Sequence, residues 1–126
     1  MLTAPTRDGL FAAACEAFCQ ALTEPAEVAA TQSRQLEVRA SDVETLLVDW
    51  LSELVYRFDV DRWLTRTADV RITPQGEQLS LHATVRGEPF DPLRHRIKIL
   101  IKAATYHGLS VRQTPEGWTA TVIFDI

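Results

Sequence analysis

The closing pair Asp125-Ile126 holds the densest oxygen chemistry in this chain. It ends the run Trp118-Thr119-Ala120-Thr121-Val122-Ile123-Phe124-Asp125-Ile126, whose β-branched and aromatic residues predict a strand reaching the last residue. On such a strand a side-chain carboxylate, a main-chain carbonyl and a terminal carboxylate fall within a few ångströms of one another. Clustered hard oxygens of this kind suit Ca²⁺ or Mg²⁺. A strand that stops there, with Asp125 in water, is the plainer reading of the same residues.

Other titratable groups have weaker claims. His95 and His107 each border a predicted strand end beside polar residues, as catalytic or hydrogen-bonded structural histidines do. His82 and Asp69 fall on outward positions of their strands and read as solvated. Lys98 and Lys102 share one face of a predicted strand and could meet phosphate, an acidic partner or water alone. Asp91 could join the terminal strand as a metal ligand if its loop folds back. Asp49 and Glu53, one helical turn apart, are either paired carboxylates or a helix flank. Cys15 and Cys19 sit in an apolar stretch and read as reduced core residues, since no second Cys or His pair follows at zinc spacing. No nucleophile elbow, P-loop or dinucleotide fingerprint is present.

The elements that must carry these groups follow from periodicity. Leu10, Phe11, Ala14, Phe18, Ala21 and Leu22 mark one face of a helix from about Thr6 or Asp8 to Leu22, with Pro25 just beyond. Residues 26–34 read as a loop, and Leu36, Val38 and Ala40 alternate as a half-buried strand. Ser41 and Glu44 have the spacing of a capping box. Val43, Leu47, Trp50, Leu51, Leu54, Val55 and Phe58 then predict a second helix ending near Asp59, with Glu53 and Arg57 as an i,i+4 ion pair.

Beyond Asp59 the period becomes two. Ala68, Val70 and Ile72, a turn at 74–77, and Leu79, Leu81, Ala83 and Val85 predict a hairpin. A loop over 87–95 contains two prolines. Ile97, Ile99, Ile101 and Ala103 predict a strand, and Leu109, Val111 and the terminal run complete the set. Helices mixed with hairpins, without a βαβ rhythm, indicate an α+β fold of mostly antiparallel sheets packed with two helices.

At 126 residues the chain is expected to be a single domain over 1–126, with enough buried surface for a core without staples. The formal net charge of −4 argues against a broad nucleic-acid footprint, so no strong direct nucleic-acid binding is expected. No signal-peptide pattern and no apolar run long enough to span a bilayer is present, which predicts a cytoplasmic protein with no membrane partner.

Four blocks, taken in order, resemble the archease family. They are Leu46-Leu47-Val48-Asp49-Trp50-Leu51-Ser52-Glu53-Leu54, Gly87-Glu88-Pro89-Phe90-Asp91, Lys102-Ala103-Ala104-Thr105-Tyr106-His107 and Val122-Ile123-Phe124-Asp125-Ile126. The resemblance implies a protein that is not an enzyme. Archeases are protein cofactors of the GTP-dependent RNA-splicing ligase of tRNA splicing and RNA repair, and they promote guanylylation of the ligase and its multiple turnover. The resemblance also implies a metal, taken to be calcium, held by an Asp near the amino terminus with a closing Asp-Ile pair. Asp125 and Ile126 match that pair. Lys102 matches a lysine near the same end, and Lys102 and His107 are expected near the partner or its phosphate.

One departure stands out. The family opens with a strand carrying His-Thr-Ala-Asp, whereas helix one here starts within a few residues of Met1 and leaves no room for that strand. Thr67-Ala68-Asp69 has similar letters but follows helix two, so the ligand role is not transferred to it. Calcium binding is therefore expected to be weak or absent, and a sheet edge to be left open. Two other readings remain: a general chaperone or interaction module without ligase specificity, and a small hydrolase using His95 or His107 with a carboxylate.

Overall fold

The computed structural model describes residues 2–126. The order is β1 (Leu2–Ala4), α1 (Arg7–Leu22), a 3₁₀ turn (Pro25–Glu27), β2 (Gln32–Ala40), α2 (Val43–Asp61), β3 (Trp63–Gln75), β4 (Gln78–Pro89), β5 (Ala103–Thr114) and β6 (Gly117–Asp125). Two antiparallel three-stranded sheets form, in the orders β2-β4-β3 and β1-β6-β5.

Both helices touch both sheets, and their composition explains why. The buried residues of α2 are Leu46, Leu47, Val48, Trp50, Leu51, Leu54, Val55 and Phe58. At 100° per residue they cover about half the helix circumference, wider than the stripe of a helix covered on one side. α1 does the same with Leu10, Phe11, Ala14, Cys15, Phe18, Cys19 and Leu22. Both cysteines are buried and unbridged, as expected. The helices are joined through the wholly buried Trp50, whose indole N–H donates to the carbonyl of Phe11 at 3.0 Å. A buried indole without that acceptor is costly.

Local chemistry sets the boundaries. The Thr6 hydroxyl accepts from the Gly9 amide at 3.0 Å and starts α1. For α2 the cap is Asp42, not Ser41: its carboxylate accepts from the Thr45 amide at 2.8 Å. Both residues have capping chemistry, and the chain enters the helix one position later than a Ser41–Glu44 box requires. The expected Glu53–Arg57 pair forms at 2.6 Å and continues through Asp61 to Arg34, whose guanidinium lies 4.5 Å from the Trp63 ring centre.

A three-residue strand without His-Thr-Ala-Asp, β1, stands ahead of helix one and pairs Leu2 with Ala120 and Ala4 with Trp118. Among the described residues nothing extends that pairing along Thr121–Asp125, so the edge there is open. The expected loop over 26–34 instead holds the end of the 3₁₀ turn and the start of β2.

The segment Ile97–Lys102 is not a strand. It makes one bridge, Ile97 to Thr23, and its beginning is tied to the end of α1: Lys98 N–H donates to Leu22 O at 2.8 Å, and just before the segment the Thr23 hydroxyl donates to Arg96 O at 2.8 Å. Lys98 and Lys102 therefore do not share a strand face. Lys98 reaches back to the Gln20 carbonyl and Glu24.

The loop between β4 and β5 hangs on one carboxylate. Glu88 is buried and accepts from the Ala29 amide at 2.6 Å, from Arg94, and from His95, whose Nε2 lies 3.0 Å away. His95 is thus a hydrogen-bonded structural histidine with a fully covered side chain. The Ala29 N–H bond first, then His95 and Arg94, hold the Glu88 carboxyl down from the ordinary 4.5 to about 2, against the opposing effect of burial.

Where β3 bulges between Thr65 and Thr67, Gly87 lies against it. A Cβ on Gly87 would sit 1.9 Å from the Leu64 carbonyl oxygen.

These contacts can be tested at two residues. Gly87→Ala must displace β3 backbone and should lower stability by about 3 kcal/mol, the upper end of overpacking costs, read as the urea midpoint; an unchanged midpoint would contradict the close approach. Unfolded Glu88 binds its proton more readily than folded Glu88, so its contribution is complete above the ordinary 4.5 and disappears as pH falls toward about 2. Urea midpoints of the natural chain should therefore fall more steeply across that window than those of Glu88→Gln. Parallel profiles would show that Glu88 is not so held.

Candidate functional site

The end of the β5–β6 pair carries the candidate tip. Ala103 stands opposite Asp125, Ala104 opposite Phe124 and Thr105 opposite Ile123. Just before β5, the Lys102 amide donates to the Asp125 carbonyl at 2.7 Å. That bond brings Lys102, Asp125 and Ile126 together at one exposed end of the sheet. The Asp125 carbonyl is already an acceptor there, while its side chain faces solvent.

Within a few residues of these groups along the chain, large aliphatic side chains are left unburied. Leu100 is 65% and Ile126 67% exposed, with Ile99 and Ile123 nearly half exposed. Large aliphatic side chains grouped with charges on an open surface are the usual mark of a contact surface.

His107 is not part of the tip. It lies four residues beyond Ala103, about 13 Å along a strand, in the stretch where β5–β6 pairing slips between Thr105 and Ser110. Its amide donates to the Thr105 hydroxyl at 3.2 Å, and its side chain is exposed.

Asp91 does not reach the terminal strand through any hydrogen bond. Its carboxylate accepts from the Leu93 amide at 3.0 Å and lies 3.6 Å from Arg94, closing its own turn. Asp69 is on the surface, as expected, in an ion pair with Arg86 at 2.6 Å. His82 is also on the surface, with Ser80 at 3.1 Å and Glu37 at 3.8 Å.

Asp49 and Glu53 are not a working pair, because Glu53 is held by Arg57. Burial first, then the charge of Asp42, raise the Asp49 carboxyl above its ordinary value. Among the described residues no three His, Cys, Asp or Glu side chains converge as metal ligands.

Two open grooves lie elsewhere. One of about 310 Å³ runs over the outer face of β2-β4-β3, past Gln35, Asp69, Arg71 and His82. Another of about 570 Å³ lies at the opposite end of β6 from the tip, beside Pro5, Arg112, Glu116 and Trp118. Neither is lined by Lys102, Asp125 or Ile126.

Sequence reasoning misses Glu88 and the apolar collar. Glu88 alternates outward from Val85 and Gly87 and becomes buried only because Ala29, Arg94 and His95 fold over it. Periodicity puts Ile99 in a strand, and its exposure follows from that segment being a loop. The exposure of Ile123 has a local signal, since it alternates with the half-buried Val122 and Phe124.

The Archease protein family (MTH1598/TM1083) model matches residues 1–126. Protein archease of Methanosarcina acetivorans is 37% identical over 120 residues, 93% of this chain and 81% of the relative. Protein archease of Methanopyrus kandleri is 30% identical over 123 residues, 98% of this chain and 88% of the relative. The solution structure of Methanobacterium thermoautotrophicum protein 1598 superposes with a TM-score of 0.76 at 24% identity, covering 94% of this chain and 83% of that one, and so shares the fold. With its sequence matched from end to end and its two-sheet architecture found again, this chain belongs to the archease family.

Proposed function

We propose that the chain is a non-enzymatic activator of a GTP-dependent RNA-splicing ligase, acting through the tip formed by Lys102, Asp125 and Ile126. Membership of the archease family supports the class of function. The observation that carries the site is the bond from Lys102 N–H to Asp125 O, which fixes the Lys102 backbone beside that of Asp125. In the partner's site Lys102 faces phosphate and balances its charge. The collar of Leu100, Ile126, Ile99 and Ile123 supplies the apolar contact that seats the tip.

Calcium at this tip is underserved by the chain alone. The Asp125 side chain and the Ile126 main-chain oxygens fall short of the roughly six to eight oxygens that Ca²⁺ takes. Among the described residues no group of three or more His, Cys, Asp or Glu side chains converges there. The residues present do not make a complete site, and the proposed action is built on Lys102 and the carboxylate without a metal step.

The exposed Leu93 and Leu100 favour a second reading, a general chaperone or interaction module. It separates from the first by its indifference to Asp125.

Guanylylation of the ligase, followed over several turnovers, is the direct measurement. Adding the natural chain should raise turnover, and Asp125→Ala or Lys102→Ala should remove most of the gain, about tenfold for one charged contact. A natural chain that gives no stimulation ends the proposal. Full stimulation by both variants, with protection of unrelated proteins from aggregation, would replace it with the second reading. Calorimetry with Ca²⁺ should show binding no tighter than about millimolar, the range of ligand-poor sites. A sub-micromolar constant would reveal further ligands at the tip.

A further inference from the structure

We propose that Glu88 and His95 are positioning residues for the tip, acting through the loop that joins β4 to β5. The functional consequence rests on the proposed role of the tip; the mechanical link does not.

The geometry fixes the histidine's tautomer. The Asp91 amide donates to His95 Nδ1 at 2.8 Å, so Nδ1 is an acceptor. The proton therefore sits on Nε2, which donates to Glu88 Oε2 at 3.0 Å. A neutral imidazole between one donor and one carboxylate has a single orientation that satisfies both nitrogens. Phe90 stacks on the ring at 6.0 Å between centres, and the Phe90 amide donates to Arg62 O at 2.6 Å. Phe90 also meets Phe58 of α2 edge-on, at 5.7 Å between centres. The first half of the loop is thereby fastened to the cores of β4 and α2.

From His95 the chain is fastened at short intervals. Arg96 O accepts from the buried Thr23 hydroxyl, Lys98 N–H donates to Leu22 O, Ile101 is buried, and Lys102 N–H donates to Asp125 O. Only Ile99 and Leu100 stand free between the last anchors, and both belong to the apolar collar. Beyond the single bridge of Ile97 to Thr23, no ladder holds the segment. The Glu88–His95 pair sets where it starts, and the Lys102–Asp125 bond is where it ends.

An apolar plug in place of this pair would cover the same surface without choosing one loop position. A buried carboxylate with several donors tolerates very few positions. Glu88 and His95 thus set the start of the segment that carries Leu100 and Lys102 to Asp125, without touching the tip.

Amide hydrogen exchange of Lys102, whose N–H is the bond to Asp125, reads the link directly. In His95→Leu the Lys102 amide should exchange at least about tenfold faster, while Leu81 and Val85 in β4 keep their protection, as for a local opening. His95→Gln, which can still accept with its oxygen and donate with its nitrogen, should restore most of the protection. Glu88→Gln gives the independent variant should His95→Leu fail to fold.

Unchanged Lys102 exchange in the folded variants overturns the proposal. So does an equal acceleration of every amide, which would mark a purely global stability role. Failure of the natural chain to stimulate a ligase would strike the proposed function and leave the exchange result standing.

Discussion

The fold depends on the need to cover two helices from both sides. Trp50, Leu47, Leu51, Leu54 and Phe58 cannot all be buried by one sheet, because they spread over about half of α2. α1 has the same breadth, and the two helices are locked by the Trp50 indole on the Phe11 carbonyl. One sheet on each side is the economical solution, and the β2-β4-β3 sheet is polar on its outer face. Glu37, His82 and Arg71 lie abreast across β2, β4 and β3, while Leu36, Leu81, Ala83, Val85 and Ile72 face the helices. The tip follows from this arrangement. β5 and β6 cover the helices through Ala104, Val111 and Ala120, and Asp125 at the end of β6 is exposed.

Much of this can be read from residue spacing. The wide stripe from Val43 to Phe58 announces a helix needing a broad support, and the alternation through Ala68–Ile72 and Leu79–Val85 announces the hairpin that supplies part of it. The solvated Asp69 and His82 follow from the same alternation. These features are governed by neighbours a few residues away.

What spacing does not reveal is governed by distant neighbours. Ile97, Ile99 and Ile101 have strand periodicity, but the backbone beside them is tied to the end of α1, where Lys98 N–H donates to Leu22 O and the Thr23 hydroxyl donates to Arg96 O. β1 is too short for any period, and exists because Trp118–Ala120 offer it a free edge. The burial of Glu88 needs Ala29, which is 59 residues earlier. At the tip, order along the chain points to Asp125, Ile126 and Lys102, and the amide that joins Lys102 to Asp125 appears only once β5 and β6 are paired. Proximity in sequence groups His107 with Lys102, and strand geometry separates them.

The pairing of β1 with β6 has a consequence for how the molecule is made. Leu2 meets Ala120, so β1 and β6 are neighbours although more than a hundred residues separate them. During synthesis on a ribosome, β1 has no partner until Trp118–Ala120 have emerged. α1, which packs against both β1 and β6, keeps part of its apolar surface uncovered for the same interval. Contacts this remote along the chain also slow folding. The strands of the β2-β4-β3 layer all precede β5 and β6 in the chain, so that layer can pair before the β1-β6-β5 layer is available.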